Sequence, residues 1–319
     1  MEFEKQTGLI AKFNNFRWAT SKILKYGIPQ KAFFTIGSFG DHLMCTATFH
    51  EWAKRGIRKQ WMLSHIEDLF QNNPNVHSVF PDEWRINKLL NYSHCKPIEL
   101  WYGTTNGDYD RVGSERTHIL EEILYRGGIT GSAELRPYMY LTNFEKETGC
   151  HSDNQVVIMS GSPNAPIPMM NKEWYVERYQ KVVDKLSPRY NLIQLGFKND
   201  PALRNVKDLR GKTKIRESAS ILFNSLFFVG QVGFLMHLAR AVDCPSVIIF
   251  GGKEKPEESG YICNENLYTA LECSPCWKMN TCEYERRCMD MITVDDVLAG
   301  VERLSEKSRE NLAVQKIFL

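Results

Sequence analysis

Three groups of residues have the type and the spacing to do chemistry. The first is Asp41, which follows the short apolar run Lys31 to Ile36 and the turn Gly37-Ser-Phe-Gly40. A carboxylate at the carboxyl end of a strand, facing a cleft and partly shielded from water, can take a proton from a hydroxyl nucleophile. The same residue in a first helical turn can instead serve only as a cap. The second group lies further on. Lys172, predicted at the start of a helix just after the proline-rich loop Ser160 to Pro168, offers a cation to the charge that develops on a departing diphosphate, or else a solvated ammonium. Gly230 and Gly233 let backbone approach an anion closely, and the helix after them, carrying Met236 and His237, would aim its unpaired N–H groups at a phosphate. His237 can donate to a phosphate or ribose oxygen, or be a hydrogen-bonded interior histidine. The following strand ends in Gly251-Gly252, with Lys253 and Lys255 beside it and Glu254, Glu257 and Glu258 among them.

The third group is Cys273, Cys276, Cys282 and Cys288, four of the chain's nine cysteines. The Cys-x-x-Cys half matches a knuckle for tetrahedral metal, while the wider second pair departs from a zinc ribbon. A structural zinc or iron is expected, with reduced thiols and disulfides as the alternatives. No histidine or carboxylate joins the four in a pattern that would leave an open catalytic position.

These residues need elements to hold them. Strand, turn and helix follow one another from Lys31 to Trp52, then Gln60 to Leu63 reads as strand, Ile66 to Gln71 as helix and Val76 to Phe80 as strand. Ser114 to Tyr125 reads as a helix stopped by Gly127-Gly128. Periodicity fades from Pro137 to Asp153, where the linker is placed. A second series then begins: strand Gln155 to Met159, helix Lys172 to Leu186, strand Tyr190 to Leu195, helix Ile215 to Asn224, strand Ser225 to Val229, and a last helix from about Thr293 to Leu304. Alternating strand and helix predicts α/β architecture with mostly parallel, doubly wound sheets. The expected division is residues 1–150 and 151–319.

Bulk properties narrow the function. Forty basic against thirty-eight acidic residues leave a net charge of only +2, which argues against a nucleic-acid binder. Neither an apolar run of spanning length nor a signal-like N-terminus is present, so a cytoplasmic protein is expected. Lys12, Arg17, Lys22 and Lys25 on the leading helix suit either plain solvation or peripheral contact with an anionic membrane, at the inner face.

Taken in order, these stretches resemble the bacterial heptosyltransferase-like glycosyltransferases of family 9. The carriers are Ile36-Gly-Ser-Phe-Gly-Asp-His-Leu-Met-Cys-Thr46, Lys172-Glu-Trp174, Asn205 to Thr213, the Gly-x-x-Gly-x-x-Met-His-Leu-Ala run Gly230 to Ala239, and the cysteine stretch Cys273 to Ile292. The likeness runs from about residue 31 to residue 305. It implies a GT-B fold: two facing Rossmann-like domains, the first choosing the acceptor and the second holding a nucleotide-sugar donor. Such enzymes move a sugar, typically heptose from ADP-heptose, with inversion and with no cofactor required for catalysis. By this resemblance Asp41 deprotonates the acceptor hydroxyl and Lys172 stabilises the leaving diphosphate. Gly40, Ser160, Ser162, Gly230, Gly233, Met236, His237 and Gly251 fall at the donor site. Two positions depart from the pattern. Gln231-Val232 stands where an acidic residue that helps bind the donor sugar is usual, and Phe197-Lys198 follows Asn191 to Gly196 where a glutamate near the nucleotide is usual.

The acceptor is a glycan, a protein hydroxyl or a small glycoside. Trp101, Tyr102 and Tyr109 in the loop Asn91 to Gly113 suggest a polar aromatic surface for it. Two other readings compete: an epimerase acting on a sugar nucleotide alone, and a non-catalytic scaffold or sensor built on the thiolate knuckle.

Overall fold

The structure, a computed structural model, describes residues 9–81, 86, 87, 90, 95–103, 118–305 and 316–318. Tyr109, most of the loop 91–113 and the start of the stretch Ser114 to Tyr125 lie outside these residues.

Short apolar runs make the strands. β1 (Lys31–Phe34) and β2 (Gln60–Leu63), with β3 (Ser78–Phe80) and β4 (Ile98–Glu99), form a four-stranded sheet of order β3-β2-β1-β4. Every pairing in it is parallel, with Phe33 aligned to Met62 on one side and Ile98 on the other. All four residues of β2 are buried, as expected where helices cover both faces of a parallel sheet. β5 (Ser132–Glu134) stands apart. The second sheet holds β6 (Gln155–Ile158), β7 (Asn191–Gln194), β8 (Lys207–Asp208), β9 (Phe228–Gln231), β10 (Ser246–Gly251) and β11 (Glu265–Tyr268) in the order β11-β10-β9-β6-β7-β8, again all parallel.

In each sheet the first strand lies between the second and the fourth, so chain direction across the sheet reverses at β1/β4 and at β6/β9. Reversal sends the flanking connections to opposite sides and opens a crevice beyond the carboxyl ends of those strands. β12 (Lys316–Phe318) returns to pair antiparallel with β5. The sheets do not have wholly separate cores: one buried cluster runs from Phe33, Leu43 and Leu120 to Phe228, Leu238 and Ile248.

Several elements differ from the sequence expectation. Gly230 lies inside β9, not in the turn, because a Cβ there would stand 2.3 Å from the Phe228 ring. The helix expected from Lys172 starts at Val176; residues Met170–Lys172 form a separate 3-10 turn. Only Glu67–Leu69 of the stretch Ile66 to Gln71 is helical, again as a 3-10 turn. Within the predicted linker, Asn143–Thr148 is a helix, capped reciprocally by Thr142 and Glu145.

Candidate functional site

Asp41 sits in the first turn of the helix Phe39–Met44, which follows β1 at the first switch point. Its Oδ2 accepts from the Ser38 backbone N–H at 2.6 Å and from Ser38 Oγ at 3.0 Å. Residue 37 must be glycine for this, since a Cβ there would lie 2.2 Å from Oδ2. Its Oδ1 accepts from the Tyr102 hydroxyl at 2.9 Å. Tyr102 follows β4, the strand across the switch point, and stacks on Trp101 with ring centroids 5.0 Å apart. The carboxylate is thus both a cap and a held group in the crevice; at 9% exposure it is mostly out of water.

The second switch point faces the first. Gly40 lies against the helix Phe234–Ala241, where a Cβ on it would be 3.4 Å from the His237 ring, and Phe39 meets Phe234 at 5.5 Å between ring centroids. That helix begins at Gly233, which has open space around its Cα, so its first N–H groups point into the crevice beyond β9. Met236 is fully buried beneath it. His237 Nδ1 is 2.6 Å from the Tyr261 hydroxyl. Burial drives the His237 pKa down to about 3 against the opposing pull of Glu254, so the imidazole is neutral. It is a hydrogen-bonding group at neutral pH, not a cation.

Lys172 forms a close ion pair with Glu254 Oε1, and Lys253 Nζ is 3.4 Å from the same oxygen. All three side chains are largely buried. Burial favours the neutral form of Glu254, yet the two ammonium groups and the Ser259 hydroxyl at 2.6 Å outweigh it and hold the carboxyl well below its ordinary range. Burial lowers Lys253 to about 8. Two lysines on one carboxylate leave a surplus positive charge out of water, which an anion would offset.

Ser160 and Ser162 are committed inside the protein. Ser160 Oγ donates to Pro201 O at 2.5 Å, and Ser162 Oγ donates to Asp200 at 3.1 Å while its N–H reaches both oxygens of Glu173. Gln231 Nε2 donates to Glu173 Oε1 at 2.7 Å. Gly161, at φ +95°, is the close approach that makes room for Glu173, whose Oε2 would be 2.1 Å from a Cβ. Burial raises the Glu173 pKa against these donors. The loop after β6 and the end of β9 are therefore tied together at the switch point by a residue that the sequence did not single out. Gly251, at φ +62°, ends β10 against Met289, and a Cβ on it would be 2.6 Å from that side chain. The sequence shows Glu254 only as one charge beside Lys253 in a solvated loop, Tyr102 only as part of an aromatic surface, and nothing that marks Glu173 between Lys172 and Trp174.

All four clustered cysteines are free thiols and line one cavity of about 280 Å³, together with Gly252, Lys253 and Arg286. The Arg286 N–H donates to Cys282 Sγ at 3.3 Å, and Gly252 leaves space that a Cβ would fill 3.2 Å from Cys288 Sγ. Four soft donors, a backbone N–H aimed at sulfur and nearby cations are the residue types a tetrathiolate metal takes, but no three of these sulfurs lie within 4.8 Å of one another, so the structure brings the thiols to one cavity without gathering them around a single point. Elsewhere His50, Glu51 and Glu134 offer atoms within 4.8 Å of one another. Lys54 at 3.2 Å from both glutamates, and Arg55 on Glu51, make that group an ion network.

Two parallel sheets of this strand order, with their switch-point crevices facing, define a GT-B glycosyltransferase fold. Residues 139–286 match the model of glycosyltransferase family 9 (heptosyltransferase), which bears out the resemblance read from the motifs over that stretch. Three solved structures share the fold. The iron-containing dodecameric glycosyltransferase TibC from enterotoxigenic E. coli H10407 is 18% identical with a TM-score of 0.67, over 86% of this chain and 76% of its own. A glycosyltransferase family 9 protein from Veillonella parvula DSM 2008 is 14% identical with a TM-score of 0.62, over 87% and 97%. The E. coli ADP-heptose lipopolysaccharide heptosyltransferase II is 13% identical with a TM-score of 0.62, over 86% and 98%. TibC has also been solved in complex with ADP-D-β-D-heptose. No curated protein matches this chain in sequence. Among the described residues no helix is long and apolar enough to cross a membrane.

Proposed function

We propose that this chain is an inverting, metal-independent sugar transferase that moves heptose from an ADP-linked donor to a hydroxyl acceptor, with residues 1–150 receiving the acceptor and 151–319 the donor. The observation that carries it is the apposition of the two switch points, with Asp41 on one side and the Gly233 helix start on the other. Asp41 takes the acceptor's hydroxyl proton as that oxygen bonds to the anomeric carbon, and the bond from that carbon to the diphosphate oxygen breaks. Lys172 and the N–H groups at Gly233 meet the charge left on the diphosphate. Neutral His237 contributes its ring nitrogen not engaged by Tyr261, and Gly40 keeps backbone close to that ring. Ser160, Ser162, Gly230, Met236 and Gly251 act by shaping the crevice, since their side chains or Cα positions are already packed or bonded internally. Gln231, in place of an acid, leaves the donor's sugar open to test.

The test is a mass-spectrometric screen of the full chain across nucleotide sugars and hydroxyl acceptors, repeated with Asp41→Asn. We expect transfer from ADP-heptose in the native chain, its loss by about three orders of magnitude in the variant, and ADP affinity unchanged. Near-normal transfer by Asp41→Asn refutes the base.

Cys273, Cys276, Cys282 and Cys288 would hold one structural zinc or iron, and the resemblance to an iron-containing protein in fold supports the second of these. The metal would cross-link the loop and supply no step of the transfer. Elemental analysis should find about one metal ion per chain, absent from Cys276→Ser.

A further inference from the structure

The residues around the cysteines point to a purpose beyond holding themselves together. Lys172 stands on the 3-10 turn Met170–Lys172, three residues with no regular element on either side to fix it. Its geometry comes from outside. The Asn171 backbone N–H donates to Met279 O at 3.0 Å, and Asn171 Nδ2 donates to Lys278 O at 3.0 Å and Thr281 O at 2.9 Å. Arg286 closes the bracket by donating to Met170 O at 3.1 Å and to Glu173 O at 3.0 Å. Every one of these partners lies in the stretch that carries the four thiols.

The other half of the cation pair is held by the same stretch. The Cys276 N–H donates to Gly252 O at 3.2 Å and the Trp277 N–H to Lys253 O at 3.0 Å, while the Lys253 ammonium rests 4.8 Å from the Trp277 ring centroid. Residues 273 to 286 contain no helix or strand of their own. An irregular loop has no ladder of its own to fix it, so these contacts hold the loop and the two lysine-bearing segments to one another.

We propose that the four-cysteine loop is the scaffold that positions Lys172 and Lys253 on either side of Glu254, with Asn171 as the positioning residue, so that affinity for a nucleoside diphosphate depends on the integrity of that loop. The proposal rests on the donor-site role given to Lys172 above. It assigns to the cysteines a task at the donor site in addition to local stability.

Two measurements on the full chain test it. In the first, ADP binding is followed by calorimetry for the native protein and for Asn171→Ala, with Cys276→Ser as a second way of loosening the loop. ADP affinity should fall about tenfold in both, as expected for a cation displaced by an ångström or so. Affinity within about twofold of native in both variants overturns the proposal, because a loop with only a local role would lower the melting temperature and leave ADP binding alone. In the second, amide hydrogen exchange at residues 170–173 and 252–254 should speed up in both variants while β6 and β7 keep their protection. Unchanged exchange at 170–173 also overturns it. Should the native chain bind no ADP, the donor reading fails by itself and the exchange measurement decides the scaffold.

Discussion

At the scale of single residues, Tyr102 bears on the base role proposed for Asp41. A base must hold one lone pair on the incoming hydroxyl, and the two Ser38 donors on Oδ2 with the Tyr102 hydroxyl on Oδ1 fix the carboxylate's rotation. Tyr102→Phe keeps the ring stacked on Trp101 and removes only the bond. Its kcat should fall about tenfold through misorientation, with donor KM unchanged, as read by steady-state kinetics. A change confined to donor KM would show that Tyr102 serves the other half of the crevice. Asp41 stands out in the sequence as a Gly-Asp step after an apolar run, a pattern that suits a helix cap as well as a base, and in the structure the residue does cap its helix. Tyr102 was seen only as an aromatic surface, since a contact across 61 positions leaves no local trace. The same holds for Glu254: next to Lys253, Lys255 and Glu257 it looks like one charge in a solvated loop, and only folding buries it between two lysines.

At the scale of elements, β2 was read to the residue and β6 to within one, because an apolar run bounded by polar turns is enough for a parallel strand buried on both faces. Two-residue strands such as β4 and β8 carry no periodicity and could not be read. The helix after Lys172 was placed four residues early, since Trp174 and Val176 continue its apolar spacing and mask the 3-10 turn that the cysteine loop imposes. Gly230 was taken for a turn residue by its company with Gly233; the Phe228 ring decides otherwise, using the missing Cβ for packing inside the strand. Thr142 and Glu145 spelled a capping box in the supposed linker, a signal present in the sequence but outweighed by the loss of hydrophobic pattern around it.

At the scale of the molecule, the facing crevices must stay in register, and Arg216 is one polar tie between them. From the helix Ile215–Phe223 it donates to Asp68 O and Gln71 O at 3.1 Å, to Tyr140 O at 2.7 Å, and to both carboxylate oxygens of Glu145. The guanidinium holds Glu145 down from 4.5 to about 2. A depressed acid stabilises the fold fully above its unfolded value, and this contribution fades as pH drops from 4.5 toward 2. Arg216→Met should therefore lose about 1–3 kcal/mol at pH 7 in denaturant melts, as for charged hydrogen bonds lost to carbonyls and to a partly exposed carboxylate. It should also lose less stability than the native chain on acidification through that window. Equal acid sensitivity in the two proteins would exclude this pair as the tie. The motifs say nothing about this joint, three of whose partners are backbone carbonyls available to any sequence and the fourth a glutamate distant along the chain.

Glu254 has one more effect. A lysine side chain free in water samples many rotamers, and stilling it costs up to about 2 kcal/mol. By pairing with Lys172, the glutamate stills that side chain, and the entropy is surrendered during folding. On the donor role proposed for Lys172, an arriving diphosphate would exchange one anion for another on an ammonium already aimed, so its capture would depend on displacing a carboxylate and hardly at all on ordering a floppy chain.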